Sequence, residues 1–387
     1  MVVYNSYTRS KEMVQTIKKN QVLLYVCGIT PYDTTHLGHA FTYTTFDVLV
    51  RYLLFQGMKV TYVQNVTDID DDILKKAKEV GKTWKALGNY WTKRFLTDLR
   101  LLHIMPPTHY VRATDSIPTI IQIITRLLKK ENAYESEGNI YFDVRTDKDY
   151  GNLSKLDKKQ MLLLMKERGG DPNDPRKKNP LDFLLWQRSL PGEPSWKSPW
   201  GKGRPGWHIE CSAMIKQYLG DQIDIHGGGR DLMYPHHESE IAQSEAFTEK
   251  HPYVRYWMHT AMLLYDGEKM SKSLRNLIMA KDLLKKYSAN SIRLLFLRHH
   301  YRTPWEYQES ALKQAKKHMT QVEELLRGKK RGEPDRKIMK AFHAAMDDDL
   351  NTPKVLKQVD AVRVKKKVTN EELQAVRQIL QTLGFIL

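Results

Sequence analysis

The chain is poor in cysteine, has few acidic residues for its basic ones, and lacks any long apolar run. Among 387 residues there are two cysteines, Cys27 and Cys211. In a secreted protein the two could form one disulfide; in a reducing compartment two scattered thiols are core residues unless they meet at a metal. No stretch approaches the length of a membrane span. The opening "MVVYNSYTRSKEMVQ" has no apolar core followed by a small-residue cleavage site, so a cytoplasmic protein is expected. The 62 basic residues outnumber the 45 acidic ones and leave a net charge of +17. That balance fits a polyanionic partner, and equally a generally basic proteome. Length allows two or three domains with sizeable cores. No internal repeat is present.

The first part of the chain alternates strand and helix signals. "QVLLYVC" reads as a buried strand, and "GITPYDTT" as a loop punctuated by Gly28 and Pro31. "HLGHAFTYTTFDVLVRYLLFQG" reads as a helix closed by Gly57. "KVTYV" and "DIDDDILKKAKEVG" add a strand and a helix that opens on acids. The alternation predicts a doubly wound, Rossmann-like parallel sheet, with ligands beyond the carboxyl ends of its strands. Cys27 and Thr67 fall at such ends. "SIPTIIQIITRLLKK" is an amphipathic helix, "NIYFDV" a strand and "KERGGDPNDPRKKNP" a long polar loop. This block reads as an insertion, after which "QIDIHGGG" resumes the strand-turn-helix pattern. The expected division is 1–115 (first half of the sheet domain), 116–204 (insertion), 205–307 (second half) and 308–387 (a basic helical domain).

Three short patterns carry chemistry. "HLGH", residues 36–39, stands where a loop becomes a helix. A helix start attracts phosphate, Gly38 lets a base or ribose approach, and His36 and His39 can donate to phosphate oxygens. Ordinary polar residues at a helix start would look the same. "KMSKS", residues 269–273, places Lys269 and Lys272 three apart beside Ser271. Such a loop can stabilise a leaving pyrophosphate, and can equally be a solvated turn. In "DLMYPHHESEIAQSEA", His236 and Glu240 would share one helix face, a spacing suited to two ligands of one metal or to a solvated polar face.

Together, in this order and about 230 residues apart, the first two patterns resemble the HIGH and KMSKS signatures of the class I aminoacyl-tRNA synthetases. "YVCGITPYDTTHLGHA", "YVQNVTDIDDDILKKA", "GRPGWHIECSAM", "DIHGGGRDLMYPHHESEIAQSEA" and "DGEKMSKSLRN" resemble the cysteinyl branch, from about residue 2 to about residue 310. The resemblance implies a zinc ion held by Cys27, Cys211, His236 and Glu240, a donor set normal for four-coordinate zinc. It implies that Gly28, Thr67 and Trp207 line the cysteine pocket and that Asp231 meets the substrate amine. Gly38, His36, His39, Lys269, Ser271 and Lys272 would bind ATP, which enters with magnesium. A zinc site prefers thiolate to hydroxyl, so serine would be rejected and editing unnecessary. Arg275 departs from the glycine usual after KMSKS-Leu.

The acceptor stays open at this point. "FHAAMDDDLNTPKVL" resembles the helical domain that follows the catalytic core, yet the sequence stops at "QTLGFIL", where a full-length relative would continue into an anticodon-binding domain. A short synthetase acting on tRNA is one expectation. A ligase joining cysteine to a small amine, like the mycothiol-pathway enzyme, is another, favoured by "GITPYDTTHLGHA" and "KERGGDP". That sister family lacks a carboxylate where Glu240 stands and tends to have glutamine where His226 stands. The positive charge suits tRNA better than a small sugar. An inactive RNA-binding relative is disfavoured because every motif residue is present. A monomer is the default expectation.

Overall fold

The computed structural model describes residues 1–32, 35–270, 274, 276–328 and 332–387. An N-terminal hairpin (β1, Val2–Asn5; β2, Ser10–Met13) precedes β3 (Gln21–Ile29), α1 (Leu37–Phe55), β4 (Lys59–Val66), α2 (Asp71–Glu79), α3 (Trp84–Leu101), β5 (His109–Arg112) and α4 (Ile117–Lys129). There follow β6 (Ala133–Ser136), β7 (Asn139–Phe142), α5 (Lys158–Glu167), β8 (Phe183–Arg188), β9 (Trp196–Ser198) and β10 (Gly201–Pro205). Next come α6 (Trp207–Tyr218), β11 (Ile223–Gly229), α7 (Glu238–Thr248), β12 (Val254–Thr260), β13 (Leu263–Tyr265), β14 (Glu268–Lys269), α8 (Ala280–Leu284) and α9 (Ala289–Leu297). Strand β15 (Trp305–Glu306) leads into α10 (Glu309–Leu326), α11 (Arg336–Met346), α12 (Thr352–Arg363) and α13 (Asn370–Thr382).

The central sheet runs β12-β11-β3-β4-β5 and every pair in it is parallel. Parallel strands covered on both faces should be apolar throughout, and β3 is buried from Val22 to Cys27. From β3 the chain winds outward to β4 and β5, then returns to place β11 on β3's other flank. The crevice between the carboxyl ends of β3 and β11 is thus the topological switch point, where such sheets bind ligands. A second, antiparallel sheet, β6-β7-β8-β10-β9, is formed within residues 133–205. The stretch read as a polar loop begins later than expected, because α5 continues through Glu167.

Helices α10 to α13 join the core that also contains α1. One buried ion pair joins α9 to α1 within this core and reaches the end of α13. Arg293 on α9 meets Asp47 on α1, both sealed from solvent, and also donates to the carbonyls of Leu383 at 2.6 Å and Leu102 at 3.2 Å. Asp47 further accepts from Arg51 and from the Met105 amide. Burial pushes the Arg293 guanidinium down to about 9. Asp47→Ala should destabilise the protein by about 3–5 kcal/mol, since it strands a buried cation. Urea unfolding would register this; a loss of less than about 1 kcal/mol would show that Arg293 is not held by this pair.

Candidate active site

Strand β3 ends in a register break after Val26, which turns Cys27 and Gly28 toward the crevice. Gly28 is required there: a Cβ would lie 1.5 Å from the Asn65 carbonyl oxygen. Its amide donates to Asn65 Oδ1 at 2.7 Å, and the Thr67 amide donates to the Ile29 carbonyl at 3.0 Å. These bonds fix the ends of β3 and β4 against each other. The resulting cavity, about 230 Å³, is lined by Cys27, Gly28, His36, His39, Thr67, Trp207, Cys211 and His236 among others.

The four expected metal ligands come together below it. One donor atom each from Cys27, Cys211, His236 and Glu240 lies within 4.8 Å of the others, and all four residues are buried. The two sulfurs are 4.0 Å apart and unbonded, Cys27 Sγ is 3.9 Å from Glu240 Oε1, and His236 Nε2 is 3.1 Å from that same oxygen. His236 and Glu240 do not share an unbroken helix. Residues Met233–His237 form a π-type turn interrupted by extended backbone at Tyr234, and α7 begins only at Glu238.

Electrostatics favour a cation in this cluster. Burial raises the Glu240 carboxyl, but His226 and His236 outweigh it and hold it down at about 2. Burial likewise opposes ionisation of Cys211, yet its hydrogen bond to Cys27 and the nearby His236 bring it to about 6. Burial, with Cys211 beside it, pushes Cys27 up. For His236 burial is overcome by Cys211 and Glu240, which raise it to about 10. A dry, converging set of two sulfurs, an imidazole and a carboxylate fits a thiophilic divalent ion.

A layer of histidines supports the set, and most of it was not marked by the motifs. His226 Nε2 lies 3.0 Å from Glu240 Oε2, with its ring stacked on Trp257. His208 Nδ1 meets His236 Nδ1 at 3.0 Å, and Trp207 stacks on the His236 ring. His237 Nε2 faces Cys27 Sγ at 3.3 Å while its Nδ1 meets His259 Nε2 at 2.8 Å; His259 Nδ1 meets Ser6 Oγ at 2.8 Å. Burial, then neighbouring histidines, keeps His237 neutral, and burial takes His259 to about 3. With both rings neutral, one direction gives the sulfur a donor: Ser6 to His259, His259 to His237, His237 to Cys27. Tautomers here are assigned from that requirement. The clustering of histidines at 208, 226, 236, 237 and 259 was the available sequence signal. His226→Leu should weaken metal affinity about 10- to 100-fold, read by competition with a chromophoric chelator. Unchanged affinity would show that His226 does not support Glu240.

The HLGH residues stand at the opposite rim. His36 is the N-cap of α1 and its Nδ1 accepts from the His39 amide at 3.3 Å; the two rings stack at 3.7 Å. At Gly38 a Cβ would come within 3.0 Å of the His36 ring, so this glycine makes room for His36 itself. The segment after KMSKS returns to this point: the Leu37 amide donates to the Ile278 carbonyl and the Ala280 amide to the Thr35 carbonyl, both at 2.9 Å. Lys269 ends β14, exposed and outside the cavity lining. Ser271, Lys272 and Arg275 lie outside the described residues. Asp231 does not line the cavity either; it pairs with Arg168 at 3.4 Å.

Residues 13–317 match the family described as the tRNA synthetases class I (C) catalytic domain. The fold agrees. A Mycobacterium tuberculosis methionyl-tRNA synthetase in complex with methionyl-adenylate superposes with a TM-score of 0.65 at 14% identity, over 94% of this chain and 88% of that one. The Agrobacterium radiobacter K84 LeuRS-tRNA-LeuAMS ternary complex gives 0.67 at 10% identity, over 96% and 84%. The sequence relatives are far nearer. A cysteine–tRNA ligase of Thermococcus onnurineus is 44% identical over 98% of this chain and 83% of its own length. That of Thermococcus kodakarensis is 47% identical over 92% and 78%, and that of Legionella pneumophila strain Philadelphia 1 is 45% identical over 100% and 84%. The chain belongs to the cysteine–tRNA ligase family of class I synthetases.

Proposed function

We propose that the protein activates L-cysteine with ATP and transfers it to tRNA. The observation that carries this reading is the buried Cys27–Cys211–His236–Glu240 set on the floor of a cavity whose rim is the HLGH helix start. The relatives named above are cysteine–tRNA ligases, and the small-amine alternative gains no support from them. The two residues that argued against that alternative, His226 and Glu240, are hydrogen-bonded partners.

Cys27, Cys211, His236 and Glu240 would hold zinc, which when bound supplies a soft acceptor for the substrate sulfur. Gly28, Thr67 and Trp207 wall the space for the amino acid. Asp231 would exchange Arg168 for the substrate ammonium. The substrate carboxylate, ionised at neutral pH, attacks the α-phosphorus of ATP; a P–O bond forms, the bond to pyrophosphate breaks, and cysteinyl-adenylate results. His36 and His39, at a helix N-terminus, donate to the phosphate oxygens. Lys269 and Lys272 would close on the leaving pyrophosphate, with magnesium accompanying ATP. A ribose hydroxyl at the RNA 3′ end then attacks the acyl carbon and AMP departs. The chain's net positive charge suits this acceptor. A cytoplasmic, monomeric enzyme is part of this proposal; among the described residues no helix is long and apolar enough to cross a membrane.

The test is transfer of labelled cysteine to total tRNA with ATP and magnesium, beside a tube with glucosaminyl-inositol instead of tRNA. Label on tRNA is the expected result. Label on the amine alone would overturn the reading.

A further inference from the structure

The chain has two thiols, and the fold brings both to one place. Cys27 stands near the end of β3 and Cys211 on the second turn of α6, with their sulfurs 4.0 Å apart and unbonded. A sulfur–sulfur bond is about 2.05 Å long, so joining them takes an approach of about 2 Å. Cys27 lies beyond the regular pairing of β3 with β11 and within the break of its pairing with β4. A shift of its side chain therefore disturbs no paired rung of the sheet.

The pair is also reachable. Both cysteines line the cavity, so a small solute that enters it meets both sulfurs. The chain holds no third cysteine, and a sulfur oxidised here has one resolving partner only. Joining the sulfurs would strip the metal set of both soft donors. His236 and Glu240 would remain, 3.1 Å apart, and two donors do not retain a four-coordinate ion. In a reducing compartment a disulfide is transient and redox-sensing rather than structural.

We propose that a hydroperoxide joins Cys27 and Cys211 in a reversible disulfide that expels the metal, and that cysteine, the substrate, reopens it. This rests on the metal set of the reading above. One thiolate attacks a peroxide oxygen, giving a sulfenic acid and hydroxide. The other thiolate attacks that sulfur; the S–S bond forms and a second hydroxide leaves. The electron pair lost by the sulfurs reduces the peroxide, which ends as water. In the return step a cysteine thiolate attacks the bridge and forms a mixed disulfide. A second cysteine attacks the first one's sulfur, and cystine departs with both protein thiols restored. The protein is thereby active only while its amino-acid substrate is reduced.

The test treats the metal-loaded protein with an equimolar amount of hydrogen peroxide. Free thiols after denaturation, metal captured by a chromophoric chelator, and intact mass are read together. Both thiols should disappear in step with metal release, the mass should fall by a pair of hydrogens, and digestion should yield a peptide linking the two cysteines. Excess cysteine with added metal should restore the thiols and the bound ion, and serine should not. In Cys27→Ser, Cys211 has no partner and should gain oxygen atoms instead. Thiols that survive peroxide in the loaded and the metal-stripped protein alike would overturn the proposal, as would gain of oxygen without a crosslink in the unaltered protein. A bridge that forms only after chelation would overturn the expulsion, and one that cysteine leaves closed would overturn the return step. An untreated protein without metal would overturn the ligand set before any peroxide is added, and the expulsion with it.

Discussion

Replacing Cys211 with alanine is expected to release the metal and to abolish cysteine-dependent ATP–pyrophosphate exchange. Of the two thiols in the cluster Cys211 ionises the more readily, held at about 6 by its hydrogen bond to Cys27 and by His236 despite burial. Without it His236 loses one of the two groups that counter its burial, and Cys27 loses the sulfur 4.0 Å away. The loss should exceed the roughly 100-fold typical of residues that merely support a ligand. Metal analysis of the purified variant gives the direct reading. Retained stoichiometric metal would remove Cys211 from the ligand set. The fold should survive, because only one small side chain is truncated at the end of a large core, and circular dichroism would verify this.

The second large effect is expected at the other rim. His39→Ala should lower the turnover of exchange by about 10²- to 10³-fold, the usual cost of one donor aimed at developing phosphate charge. The KM for cysteine should barely move, because His39 stands on the first turn of α1 and takes no part in the metal cluster. A change confined to the KM for cysteine would place His39 in the amino-acid pocket instead. His36→Ala is a less clean test, since His36 also caps α1 through Nδ1 and stacks on His39.

Much of the sheet and of the cluster was legible from sequence. A continuous apolar run gave β3, and the glycine-flanked histidines gave the start of α1. The four candidate ligands lie on three distant segments, so only the family resemblance could join them; the fold brings one donor atom of each within 4.8 Å of the others. The supporting layer was less visible. Ser6 and His259 are 253 residues apart, His237 and Cys27 are 210 apart, and no local pattern encodes such contacts. His237, next to His236 in sequence, faces Cys27 from an irregular turn before α7. Helix α3 went unread because "WKALGNYWTKRFLTDLRL" places Gly88 and exposed Tyr90 among its apolar positions, which blurs the helical period. The pairing of Asp231 with Arg168 was not legible, because Arg168 stands on a segment that reads only as polar loop.

The measurement that bears most directly on the central claim, that a metal in this cluster selects cysteine by its sulfur, is a titration of the cobalt-substituted protein. Adding cysteine should strengthen the sulfur-to-cobalt absorption in the near ultraviolet, and serine at the same concentration should leave the spectrum unchanged. A spectrum indifferent to cysteine, in a preparation that still performs cysteine-dependent exchange, would contradict the account.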